Sequence, residues 1–106
     1  MAREIGPFEF EILATLINQP GDAYGLTIRD RIKERSGHEP SVGMIYTALG
    51  RLERKGLVTS WWGEKTEERG GRRKRLYKIE SPGEAAAHRF AARVSQFGAM
   101  VPAWSS

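Results

Sequence analysis

The chain has 106 residues, no cysteine and a formal net charge of +4, which bounds it to a single thin-cored domain and removes disulfides, thiolate nucleophiles and cysteine-based zinc sites. An apolar fraction of 40% argues against disorder, and no apolar run approaches the roughly 20 residues that cross a bilayer. Folding at this size buries only about 60–70% of the unfolded surface, so dimerisation is a natural source of added stability.

Taken in chain order, Phe8, Ile12, Leu13, Leu16 and Ile17 recur at helical spacing and predict a first helix from about Pro7 to Asn18. Pro7 suits its first turn, and Gln19-Pro20-Gly21 ends it. Asp22 is expected to cap a second helix running to about Ser36, with Tyr24, Ile28 and Ile32 four apart on its inner face and Gly37 as its terminator. Ser41 supplies the cap of a third helix over residues 42–55, stopped by Gly56. Its buried stripe is Ile45, Leu49 and Leu52. Tyr46, Thr47, Gly50, Arg51, Arg54 and Lys55 occupy its other faces.

The period then changes. Residues 57–62 are rich in β-branched and aromatic side chains and predict a strand, with residues 76–79 as its partner and a polar turn centred on Gly70-Gly71. Trp61 and Trp62 fall on opposite faces of that strand, so one is expected in the core and the other partly exposed. Ser81-Pro82-Gly83-Glu84 has the form of a capping box with proline in the first turn and opens a last helix. Ala87, Phe90, Val94, Phe97, Val101 and Trp104 follow at spacings of three and four, an a/d seam of the kind that seeks another helix. Pro102 is expected to end or kink it.

Charge is distributed unevenly. Arg69, Arg72, Arg73, Lys74, Arg75 and Lys78 are six of the seventeen basic residues, and no acid falls among them. Such a patch attracts polyanions better than the same charge spread evenly. Three helices, a hairpin and a further helix describe a mainly α winged helix-turn-helix, with residues 1–80 as the DNA-binding domain and residues 81–106 as a C-terminal dimerisation helix.

Three segments carry a resemblance to a known family. Asp22-Ala23-Tyr24-Gly25-Leu26-Thr27-Ile28 resembles the Tyr-Gly-x-x-Ile segment of the PadR family of transcriptional regulators. The stretch from Ser41 through Ile45, Tyr46, Leu49, Leu52 and Gly56 to Val58 is similar to that family's recognition helix. Gly70-Gly71-Arg72-Arg73-Lys74-Arg75-Leu76-Tyr77 resembles its wing, and the likeness covers about residues 7 to 90. The resemblance implies a dimeric regulator, usually a repressor and often relieved by a small aromatic or phenolic compound. It also implies the short subfamily with one C-terminal dimerisation helix. Met44 departs from the pattern, standing where the family commonly has threonine, and its side chain cannot donate to a phosphate or a base edge.

The candidate DNA-binding residues are therefore Ser41, Gly43, Met44, Tyr46, Thr47, Arg51 and Arg54 on the third helix, and Arg69, Arg72, Arg73 and Lys74 on the wing. Against this stand two plainer readings: Tyr46 packs on the first helix, and the basic tip, with Glu64, Glu67 and Glu68 nearby, is a solvated loop. Ala87, Phe90, Val94, Phe97, Val101 and Trp104 are the candidate dimer interface. By the resemblance, Phe97 and Trp104 are also candidates to sandwich a flat ligand, with simple packing as the alternative.

Other chemistries find no support. Gly70-Gly71 lacks the pattern and setting of a phosphate-cradling loop, and no nucleophile, base and orienting acid stand together. His38 and His88 lie far apart without partners at ligand spacing, so no metal, cofactor or enzymatic activity is expected. The N-terminus lacks a signal peptide's apolar stretch, which predicts a cytoplasmic protein. The expected function is sequence-specific regulation of transcription by a homodimer on a pseudo-palindromic duplex site. A winged-helix protein-interaction module and a nonspecific architectural DNA binder remain as alternatives.

Overall fold

The computed structural model describes residues 4–19, 21, 23–64 and 73–102. Pro20, Asp22, Arg69, Gly70, Gly71, Arg72 and Trp104, singled out above, lie outside the described residues. Helix α1 (Pro7–Asn18) starts where the Gly6 N–H donates to Glu9 Oε1 at 2.9 Å, and it buries Ile12, Leu13 and Leu16. Ile17, expected on the same stripe, is exposed instead.

Helix α2 (Gly25–Ser36) begins three residues after the expected cap. Ala23 does not enter the helix because its C=O accepts the Tyr77 N–H at 2.8 Å, forming a β-bridge. The start is then secured by Thr27, whose Oγ1 accepts from the Tyr24 N–H at 3.0 Å and donates to the Tyr24 C=O at 2.9 Å. Gly37 closes the helix in the left-handed region, with φ 76°.

Helix α3 (Val42–Arg54) matches its sequence signature closely. Ser41 Oγ accepts from the Met44 N–H at 3.1 Å, and Ile45, Ala48, Leu49 and Leu52 are buried. Strands β1 (Val58–Trp62) and β2 (Arg75–Ile79) pair antiparallel, from Val58 opposite Ile79 to Trp62 opposite Arg75. The root of this hairpin reaches the core through Val58, Tyr77 and Ile79. Farther out, Trp61 and Trp62 are both exposed, by 40% and 56%. The expected division into one core and one surface tryptophan does not hold.

Helix α4 (Ser81–Gly98) is capped by Glu80, so Ser81 is its first helical residue and the predicted capping box does not form. Glu80 is held outside the helix because its N–H donates to the Leu57 C=O at 2.9 Å. Ala86 and Ala87 complete one shared core with Ile12, Leu13, Ile28, Ile45, Leu49, Leu52 and Leu57. Each large aliphatic side chain fully buried there stabilises the fold by about 1.5–3 kcal/mol. Phe10 of α1 stacks on Phe90 of α4 with ring centroids 4.7 Å apart. The helix ends four residues before Pro102, leaving Val101 beyond it.

Candidate nucleic-acid interface

The period that buries one stripe of α3 turns its opposite face outward. Ser41, Gly43, Met44, Tyr46, Thr47, Arg51 and Arg54 are all exposed on that face or at its N-terminal cap. The Ser41 oxygen is engaged by the Met44 N–H, which leaves its O–H to donate outward. Tyr46 rests on the start of α2, not on α1. A Cβ at Gly25 would lie 2.6–2.8 Å from the end of the Tyr46 ring, and the ring stands 6.3 Å from that of Tyr77. Gly25 thus lets the end of the Tyr46 ring approach the helix start closely, and a larger residue there would have to displace that ring.

Arg51 divides its charge between solvent and a buried acid. Its Nε lies 3.7 Å from Glu9 Oε2, and Lys55 Nζ donates to both Glu9 oxygens at 3.1 and 3.0 Å and to the Glu4 C=O at 2.8 Å. Burial pushes the Glu9 carboxyl up, but the Gly6 N–H, Lys55 and Arg51 together outweigh it and hold the group below its ordinary value. Nothing at sequence level marked Glu9 as the anchor of two residues on the reading helix. Its only local signal is the Gly6 cap three residues before it.

On the wing, the run of six basic residues is not six free charges. Arg73 and Lys74 are exposed, with Lys74 Nζ lying 4.6 Å from the centre of the Tyr24 ring. Arg75 is drawn toward Glu53 of α3, at 3.8 Å, and lies over Trp62 at 4.9 Å. Lys78 Nζ stands 3.9 Å from Glu80. Arg69 and Arg72 lie outside the described residues. The sequence run overstates the available charge because Glu53 comes to it only through the fold and Glu80 stands just two residues beyond its end.

Lys74 on Tyr24, and Tyr46 on the adjacent Gly25, bring the wing, the start of α2 and the outer face of α3 together. The dimer candidates divide differently. Ala87 is spent on the protomer's own core and Phe90 is half-buried against Phe10, whereas Val94, Phe97 and Val101 are exposed. Among the described residues there is no cluster of metal-ligating side chains, and no helix is long and apolar enough to cross a membrane.

Two helices joined by a tight turn, a hairpin wing and a following helix make this a winged helix-turn-helix protein. The sequence pattern of the transcriptional regulator PadR-like family matches residues 12–89, and the chain belongs to that family, which is one of regulators and not of enzymes. Its fold is similar to a PadR family transcription regulator from hypervirulent Clostridium difficile R20291, with TM-score 0.74 and 25% identity over 90% of this chain and 94% of that one. It is equally similar to a transcriptional regulator from Clostridium thermocellum, with TM-score 0.74 and 26% identity over 87% and 84%. Bacillus subtilis PadR, solved in complex with operator DNA, shares the fold with TM-score 0.70 and 20% identity over 94% of this chain and 51% of that chain. No curated protein matches the chain.

Proposed function

We propose that this regulator binds duplex DNA as a homodimer and represses transcription by occupying a pseudo-palindromic operator. The observation that carries the reading is the meeting of the polar outer face of α3 with the basic wing residue Lys74 at Tyr24 and Gly25. In that arrangement Ser41, Gly43, Met44, Tyr46 and Thr47 enter the major groove. Arg51, Arg54, Arg69, Arg72, Arg73 and Lys74 neutralise phosphates. The operator complex of Bacillus subtilis PadR supports the same use of the fold.

Residues 1–80 supply the reading head, and residues 81–106 supply the helix that pairs with a second copy. Val94, Phe97 and Val101, with Trp104 beyond them, offer the apolar surface for that pairing. A flat aromatic effector inserted near Phe97 and Trp104 would release DNA by rotating one protomer against the other. As a DNA-binding regulator it would act in the cytoplasm.

The test is a fluorescence-anisotropy titration of the duplex upstream of the protein's own gene, with scrambled competitor at two salt concentrations. Competitor-resistant binding that weakens by about 0.9 in log affinity per log salt for each phosphate contacted supports the reading. Equal affinity for both duplexes leaves a nonspecific architectural binder or an operator elsewhere, and absence of binding at low salt favours a protein-interaction module.

A further inference from the structure

We propose that Glu53, Ser60, Arg75 and Trp62 form a clamp that fixes the angle of the wing against α3, making Glu53 and Arg75 positioning residues for DNA binding. The proposal rests on the DNA-binding reading and adds the device that aims the wing. Glu53 stands in the last turn of α3, Ser60 in the middle of β1 and Arg75 at the start of β2. Ser60 Oγ donates to Glu53 Oε2 at 2.7 Å and accepts from Arg75 Nε at 3.0 Å. The Arg75 guanidinium reaches the same carboxylate oxygen at 3.8 Å and lies over the Trp62 ring at 4.9 Å. One serine hydroxyl, one carboxylate and one planar cation thus join the end of α3 to both strands.

Such a device adds to a hairpin that is otherwise held at its root and by the single contact of Lys74 with the Tyr24 ring. Two paired strands are marginally stable by themselves, and the core contacts of this pair end at Val58 and Tyr77. Among the described residues no other side-chain hydrogen bond or ion pair joins α3 to the hairpin. Arg73 and Lys74 immediately precede Arg75, so the direction in which they leave the sheet is set where Arg75 is tied down. The presence of Glu53 also needs a reason. A carboxylate beside a phosphate-binding surface repels the ligand, and its removal should help binding unless it holds something in place.

That opposition of signs makes the experiment. The full chain is titrated with a random-sequence duplex of about 30 base pairs over a salt series, since phosphate contacts need no operator. The proteins compared are wild type, Glu53→Gln, Arg75→Lys, and each of these combined with Arg73→Gln and Lys74→Gln. The clamp predicts about tenfold weaker binding for both single variants. It predicts a salt slope reduced by about 0.9 for each wing phosphate lost, and a smaller loss once Arg73 and Lys74 are already neutral.

Unchanged or tighter binding with the wild-type slope, or a loss that simply adds to that of the neutral wing, overturns the clamp. Arg75→Lys keeps the charge and carries the test alone should Glu53→Gln fail a thermal-unfolding check. A wild-type protein that binds no duplex overturns the DNA-binding reading and the clamp's purpose with it. Wild-type binding with unaffected variants overturns the clamp only.

Discussion

Glu9 is only 7% exposed, yet it is ionised, because Gly6, Lys55 and Arg51 all favour its charge. Its carboxyl is held below the ordinary 4.5, so its stabilising contribution is fully present above that pH and is lost as the pH falls through the lowered folded value. Glu9→Gln should therefore cost about 1–3 kcal/mol at neutral pH by leaving Lys55 poorly satisfied. It should also flatten the loss of stability below pH 4.5. Urea unfolding of both proteins between neutral pH and pH 3 reads this directly, and parallel acid limbs would refute it. Gly25 is legible only by resemblance at the sequence level. Its physical reason, the Tyr46 ring against its Cα, requires knowing that the two helices cross there.

The helices show which parts of an element a sequence states and which it leaves to the fold. Periodicity and caps located the body of every helix, and the body of α3 needed no correction, because Ser41 and Gly56 act on their own chain neighbours. The start of α2 was misread because Ala23 is claimed by Tyr77 of β2, and the cap of α4 because Glu80 is claimed by Leu57. Both competitors are remote in sequence, and so is the Glu53 that takes up Arg75. At this scale the second half of α4 makes its own prediction. Phe97 is 58% exposed, so Phe97→Asp leaves the fold of the protomer intact. If α4 pairs two copies as proposed, burying a charge in that seam should convert the dimer to monomer. Sedimentation velocity should show the mass halve with an unchanged circular dichroism spectrum, whereas a persistent dimer would place the seam elsewhere.

For the whole molecule, the proposed homodimer, with two reading heads joined through α4, should address half-sites about 34 Å, or one helical turn, apart. Inserting about 5 base pairs between the half-sites of a mapped operator turns one to the opposite side of the duplex and should abolish cooperative binding. Insertion of about 10 restores the facing but not the distance. Tolerance of the 5-base-pair insertion would mean that the protomers bind independently. Leu57 determines how such a dimer can move. Its N–H donates to the Leu52 C=O and its C=O accepts from the Glu80 N–H, both at 2.9 Å. The same carbonyl lies so near Gly83 that a Cβ there would collide with it. The end of the reading helix, the first strand and the first turn of α4 are therefore joined at one residue. A protomer built this way behaves as a single lever with no elbow between its handle and its tip. In the proposed homodimer, a displacement of the first turn of α4 would therefore reach the end of the reading helix through Leu57.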